Sequence, residues 1–179
     1  MRKLLFISLL LAGCTNSETT QSSKIYFDLA GLVNQQIASL TQKQPLAHKS
    51  LLLEEKTEAI NTTKIDWKKE FELFLQADLN KQSYQLSYDV AEGPQKLSYT
   101  LKKGESLPVK LLVIVFDEKE RPIHIEALLQ TKNYLYESEK HLQMNLENNQ
   151  VINYQIIGWQ ELFVGKRKNF KVNGILVNK

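Results

Sequence analysis

Four side chains form the sharpest chemical pattern in the chain: His124 and Glu126, then Glu139 and His141, on two neighbouring stretches of alternating apolar and polar residues. A two-residue turn at Lys132-Asn133 would set Glu126 opposite Glu139 and His124 opposite His141, all on one sheet face. Two imidazoles and two carboxylates so placed could hold zinc or another divalent cation. The other face would carry Ile123, Ile125, Ala127 and Leu129 against Tyr134, Tyr136 and Leu142. That set is the more apolar and the natural core, which leaves the His/Glu face solvated. The four residues are therefore metal candidates on a surface, and nothing in the chain demands a metal or any other cofactor. His48 lies apart from them.

Other chemistries find less support. Nucleophilic catalysis needs a poised Ser or Cys beside a base, but there is no Gly-x-Ser-x-Gly elbow, no Ser-x-x-Lys, and a single cysteine. A glycine-rich phosphate loop, a His-Glu-x-x-His pair and a calcium loop are equally missing from the sequence. The expectation is a protein that is not an enzyme. Asp66, Glu70 and Asp78 read as a helix cap and a solvent-facing helix surface. Lys166-Arg167-Lys168, between Gly165 and Asn169, is a basic turn that could touch anionic headgroups and is equally readable as a solvated hairpin tip. The aromatic residues Tyr84, Tyr88, Tyr99, Tyr134, Tyr136, Tyr154 and Trp159 fall on successive strands. They make the best lead for a binding site, because an aromatic-lined concavity could hold a lipid, peptide or glycan.

The cysteine has a different use. Arg2 and Lys3 precede the apolar run Leu4 to Leu11, then Ala12, Gly13 and Cys14, which is the order of a secretory signal and too short to span a bilayer. Leu11-Ala12-Gly13-Cys14 resembles the lipobox of bacterial lipoproteins. That resemblance implies a signal peptide over 1–13 and a diacylglyceryl group on the Cys14 thiol, with its freed amine acylated as well. Two or more acyl chains hold a protein on a membrane stably, where one is marginal. Thr15 in place of Asp implies release from the inner membrane, hence an outer-membrane protein facing the periplasm. Residues 14–23 then form a polar tether reaching about 30 Å when extended.

Taking Arg2 and Lys3 away from 23 cationic residues, against 20 acidic ones, leaves a formal charge of +1. So balanced a surface gives no footing for nucleic acid. The expected partners are the membrane, through the anchor, and a lipid, peptide or envelope protein. With no second cysteine the fold must rest on its core, and residues 24–179 are enough for one domain.

Apolar residues at helical spacing predict a helix from Lys24 to about Gln42, closed by Pro45, and a second from Asp66 to about Asp78 with Trp67, Phe71, Phe74, Leu75 and Leu79 on one face. A strand is expected within Ala47–Lys56 and a shorter one near Glu58–Asn61. From Tyr84 the period becomes two, through Tyr84–Val90, Leu97–Leu101, Val109–Phe116, Ile123–Thr131, Tyr134–Leu146, Val151–Gln160 and Phe170–Val177. The fold class expected is α+β: two N-terminal helices packed on a long, curved antiparallel meander of about seven strands. Ile65-Asp66-Trp67, Glu70, Phe74, Ala77-Asp78-Leu79-Asn80-Lys81 and the late Tyr154, Ile157 and Gly158 resemble a group of uncharacterised bacterial envelope lipoproteins. The long sheet similarly resembles the half-open barrels of periplasmic lipoprotein carriers and receptors, which place their helices differently along the chain.

Overall fold

The computed structural model describes residues 24–177, so the leader 1–13, Cys14 and the tether lie outside the described residues. Within them one antiparallel sheet is built from β1 (Leu46–Leu53), β2 (Lys56–Thr62), β3 (Tyr88–Gly93), β4 (Lys96–Leu101), β5 (Val109–Phe116), β6 (Pro122–Lys132), β7 (Tyr136–Glu147), β8 (Gln150–Leu162) and β9 (Lys168–Val177). Their order across the sheet is β2-β1-β9-β8-β7-β6-β5-β4-β3. The helical segments are α1 (Leu29–Lys43), α2 (Trp67–Glu70), α3 (Glu72–Gln76) and a 3-10 turn at Gln82–Tyr84.

This corrects the expected α+β class. The fold is sheet-dominated: the two early strands join the seven of the meander in one nine-stranded sheet, and the second helix is reduced to two short pieces. The early hairpin β1–β2 pairs with the last strand, from Leu46 opposite Val177 to Leu53 opposite Phe170. So distant a pairing leaves no trace in local periodicity. The helix over 66–78 breaks at Phe71 (φ −100, ψ 12), although Asp66 caps its start as expected, accepting from the Lys69 N–H.

The first helix begins at Leu29, five residues later than the expected Lys24, because the backbone before it is claimed by distant side chains. Asn80 Oδ1 accepts from Tyr26 N, Tyr99 Oη accepts from Phe27 N, and Asp28 caps α1 by accepting from Gly31 N. Asn80 Nδ2 donates to the Phe27 carbonyl, and Asp78 Oδ1 accepts from Ala30 N. The Asp78-Leu79-Asn80 run thus clamps the chain entering α1, and both polar side chains are used structurally. At the other end Gln44 turns left-handed (φ 45) and Pro45 follows.

The strand expected over Tyr84–Val90 starts only at Tyr88, since Leu86 adopts a left-handed backbone (φ 64) and points outward. All three helices cover one face of the sheet. Leu112, Ile114, Ile125, Ala127, Leu142, Met144, Tyr154 and Ile156 on that face join Leu29, Val33 and Leu40 of α1 and Trp67, Phe71 and Phe74 in a single buried cluster. Each large side chain buried there contributes about 1.5–3 kcal/mol. Gln36 fixes α1 over the middle of the sheet: its side chain donates to the Asn149 carbonyl and accepts from Val151 N at the β7–β8 turn.

Candidate functional site

The His/Glu quartet does not come together. Asn133 Oδ1 accepts from both Leu135 N (2.9 Å) and Tyr136 N (3.0 Å), which moves the tip of the β6–β7 hairpin to Tyr134-Leu135. The register slips accordingly: His124 faces Asn145, Glu126 faces Gln143, His141 faces Leu128 and Glu139 faces Gln130. The slip is even, so all four keep the face opposite the helices, but His141 ends about 13 Å along the strand from the level of His124. The expected pairing at a Lys132-Asn133 turn is therefore corrected. His124 Nδ1 lies 2.6 Å from Asn145 Oδ1, and His141 Nε2 lies 3.0 Å from Glu139 Oε1. Hydrogen bonds from His141 and then Gln130 hold the Glu139 carboxyl below its usual range. Among the described residues no three His, Cys, Asp or Glu side chains form a metal-binding group.

The aromatic candidates divide among four places, with Tyr154 apart from the rest against Phe71 and Glu70. Tyr84, Tyr88 and Tyr99 are buried with Tyr26 beneath the start of α1, in edge-on contacts at 5.4 Å (Tyr26 to Tyr99) and 5.7 Å (Tyr26 to Tyr88). Tyr88 Oη donates to the Val109 carbonyl and Tyr26 Oη to the Tyr84 carbonyl. Burial pushes the Tyr84, Tyr88 and Tyr99 hydroxyls up, and this end of the core is closed. Tyr134 stands exposed at the hairpin tip, and Tyr136 bonds Ser138 Oγ at 2.8 Å. Trp159 lies on the face away from the helices, under the Arg167 guanidinium at 3.7 Å. No shared aromatic cavity results.

The concavity lies at the other end of the helix-covered face. An open groove of about 760 Å3 runs between α2–α3 and strands β2, β1, β9 and β8. Leu51, Ile60, Leu73, Ile156 and Val172 line it, with Lys69 and Glu72 on the helix side. Beside it a polar chain ties helix to sheet: Lys49 Nζ donates to Glu70 Oε2 (2.5 Å), and Tyr154 Oη donates to Glu70 Oε1 (2.5 Å). Desolvation first, then the Glu70 carboxylate, drives the Tyr154 hydroxyl far above its ordinary range, so it stays a donor at every physiological pH. Lys49 and Glu70 pair with each other, and Glu58, Lys69 and Glu72 are the other charged residues of the lining.

The ring of Tyr154 lies over Gly174, where a Cβ would come within 2.2 Å of it. Register supplies the reason, because Tyr154 sits directly opposite Gly174 in the β8–β9 pair. Only a residue without a side chain lets the ring lie flat there, edge-on to Phe71 at 5.2 Å, with its hydroxyl at Glu70.

No family model, curated protein or solved structure matches the chain. Leu51, Ile60, Leu73 and Lys49 carry no site signal in the sequence; Glu70 reads there as a helix-surface carboxylate, and Tyr154 belongs to the aromatic set offered as a binding surface. A usable signal was the pair Tyr154 and Gly174, an aromatic and a glycine on consecutive long strands, which is the composition of a ring packed across its neighbour.

Proposed function

We propose that the protein is an envelope lipoprotein, anchored by lipid on Cys14 in the outer membrane and facing the periplasm, whose domain binds the acyl chain of an amphiphile without transforming it. The observation that carries the binding half is the groove: about 760 Å3, walled by Leu51, Ile60, Leu73, Ile156 and Val172, open along one side. Its size lies inside the roughly 300–1,000 Å3 usual for small-molecule sites, and the apolar walls stand beside the charged Lys49, Glu58, Lys69, Glu70 and Glu72, a lining that suits a chain with a polar headgroup. Ile60 is 59% exposed and Leu51 39% exposed on that wall, an apolar surface that gains by being covered. The lipobox-like N-terminus supports the address.

Native mass spectrometry of the protein purified from its own envelope tests both halves. The expected result is a diacylglyceryl mass on Cys14 and a co-purifying acyl-chain compound released by solvent extraction. A mature chain carrying no adduct, which also fails to take up added fatty acid or lysophospholipid, contradicts the binding reading.

A second reading has its own observation. Strand β2 is the outermost strand on the groove side, and its residues from Lys56 to Asn61 are exposed. An edge of this kind can accept a strand from a partner, as an accessory subunit of an outer-membrane assembly would. Crosslinking from β2 to an envelope protein in whole cells is the expected outcome of that reading, and its absence would remove it.

A further inference from the structure

The three most exposed large apolar side chains of the described residues, Tyr134, Phe163 and Val164, stand at one end of the sheet together with Leu135 and Leu162. Tyr134 (84% exposed) and Leu135 (57%) cap the β6–β7 hairpin, and Leu162 (59%), Phe163 (82%) and Val164 (84%) begin the β8–β9 turn. The two tips are a single surface: Phe163 N donates to the Leu135 carbonyl at 2.8 Å, and Tyr136 pairs with Leu162. An apolar cluster of this kind, outermost on a protruding turn, costs solvation free energy in water and is not needed by the core.

Cations stand directly behind it. Lys166, Arg167 and Lys168 follow Val164 in the same turn, and Lys132 precedes Tyr134. The carboxylates around it are engaged: Glu161 lies 3.4 Å from Arg167, Glu137 lies 3.2 Å from Lys132, Glu139 accepts from Gln130 and meets His141, and Glu54 accepts from Asn169 N. Aromatic and aliphatic side chains in front with Lys and Arg behind is the order in which a segment enters the interface of a bilayer, apolar groups among the acyl chains and cations at the headgroups.

We propose that this double hairpin tip is an interfacial membrane contact, selective for a surface of anionic phospholipid. The surface is a projection rather than a groove, so it has no walls to hold a peptide, and the run of three cations Lys166-Arg167-Lys168 in its turn complements anionic headgroups. The contact also orients the groove, because the wall residues Leu51 and Val172 continue along the same sheet face through Leu53 and Phe170 toward the tip. The inference rests on the reading that the chain is held at a membrane, and not on what fills the groove.

The test places a tryptophan reporter at the tip, Phe163→Trp in a Trp159→Phe background, read as the difference from the Trp159→Phe parent because Trp67 remains buried in the core, in the full chain as the envelope processes it. The protein is mixed with vesicles of phosphatidylcholine alone or containing phosphatidylglycerol, each with bromine-labelled acyl chains. Emission from the tip is expected to shift to the blue and to be quenched in the anionic vesicles, and to recover in high salt. Replacing Lys166, Arg167 and Lys168 with Gln should lower the docked-to-free ratio of the tip by roughly a hundredfold, from the free energy each cation contributes near such a surface. A second reporter, Val90→Trp on the far edge strand β3, should stay unquenched. An unquenched tip in anionic vesicles, a blue shift without quenching, or equal quenching of both reporters overturns the proposal. Failure of the anchor is seen separately, as an unmodified mass for Cys14, and the tip is still readable because the vesicles are added.

Discussion

The two ends of the helix-covered sheet face are made from similar materials and finished differently. Over β3 and β4, the chain entering α1 brings Tyr26 and Phe27 down onto Tyr84, Tyr88 and Tyr99, and the hydroxyls of Tyr26, Tyr88 and Tyr99 are spent on backbone groups, so that end is sealed. Over β1, β2 and β9 the cover is the broken pair α2–α3. Its polar link to the sheet is the chain from Lys49 through Glu70 to Tyr154, and beyond it Leu51 and Ile60 stay exposed. An aromatic cluster closes a core when its hydroxyls find backbone partners within reach. Where the covering helix is only two short segments, the sheet outruns its cover and a groove remains.

Breaking the open end at its floor should have the largest effect. Phe71→Ala removes the ring that touches Trp67, Phe74 and Tyr154, and is expected to cost about 3–5 kcal/mol in denaturant unfolding and to abolish ligand uptake. Gly174→Ala should cost about 1–3 kcal/mol, because its methyl would displace the Tyr154 ring; the same measurement in a Tyr154→Ala background should show most of that penalty gone. At the closed end, Tyr99→Phe deprives Phe27 N of its acceptor and is expected to cost about 1 kcal/mol, with ligand uptake unchanged.

The tyrosines also set a pH signature. For Tyr84, Tyr88, Tyr99 and Tyr154 the folded hydroxyls titrate above their unfolded value, so their contribution is complete below about pH 10 and is lost as pH rises beyond it. Stability measured by thermal unfolding should be level in this respect at neutral pH and fall in the alkaline range, and Tyr88→Phe should flatten that fall. Smallest of all is Ile60→Lys: on an exposed strand edge it should change stability by no more than about 0.5 kcal/mol.

How much of this was legible in the sequence depended on the range of the interaction. The continuous apolar run Val109–Phe116, the Asp66 cap and the Asn148-Asn149 turn, both asparagines left-handed, are set by neighbours in the chain and can be read there. The hairpin at Asn133 misled because the asparagine stands before the turn and builds it with its side chain, rather than occupying its centre. Faces survived that error and partners did not, since an even slip keeps every side chain on its side. The groove was invisible for a different reason. Glu70 meets a lysine 21 residues before it and a tyrosine 84 residues after it, and both meetings depend on β1 lying beside β9.

The central claim is that the open end, and not the closed one, binds an acyl chain. It is tested most directly by titrating a fluorescent fatty acid into the wild-type protein, Ile60→Lys and Val90→Lys, the last at the edge of the sealed end. The account predicts saturable binding to the wild type and to Val90→Lys, with at least a tenfold loss in Ile60→Lys for about 1.4 kcal/mol of lost apolar contact. Equal affinity in all three proteins, or no saturable binding to any, would contradict it.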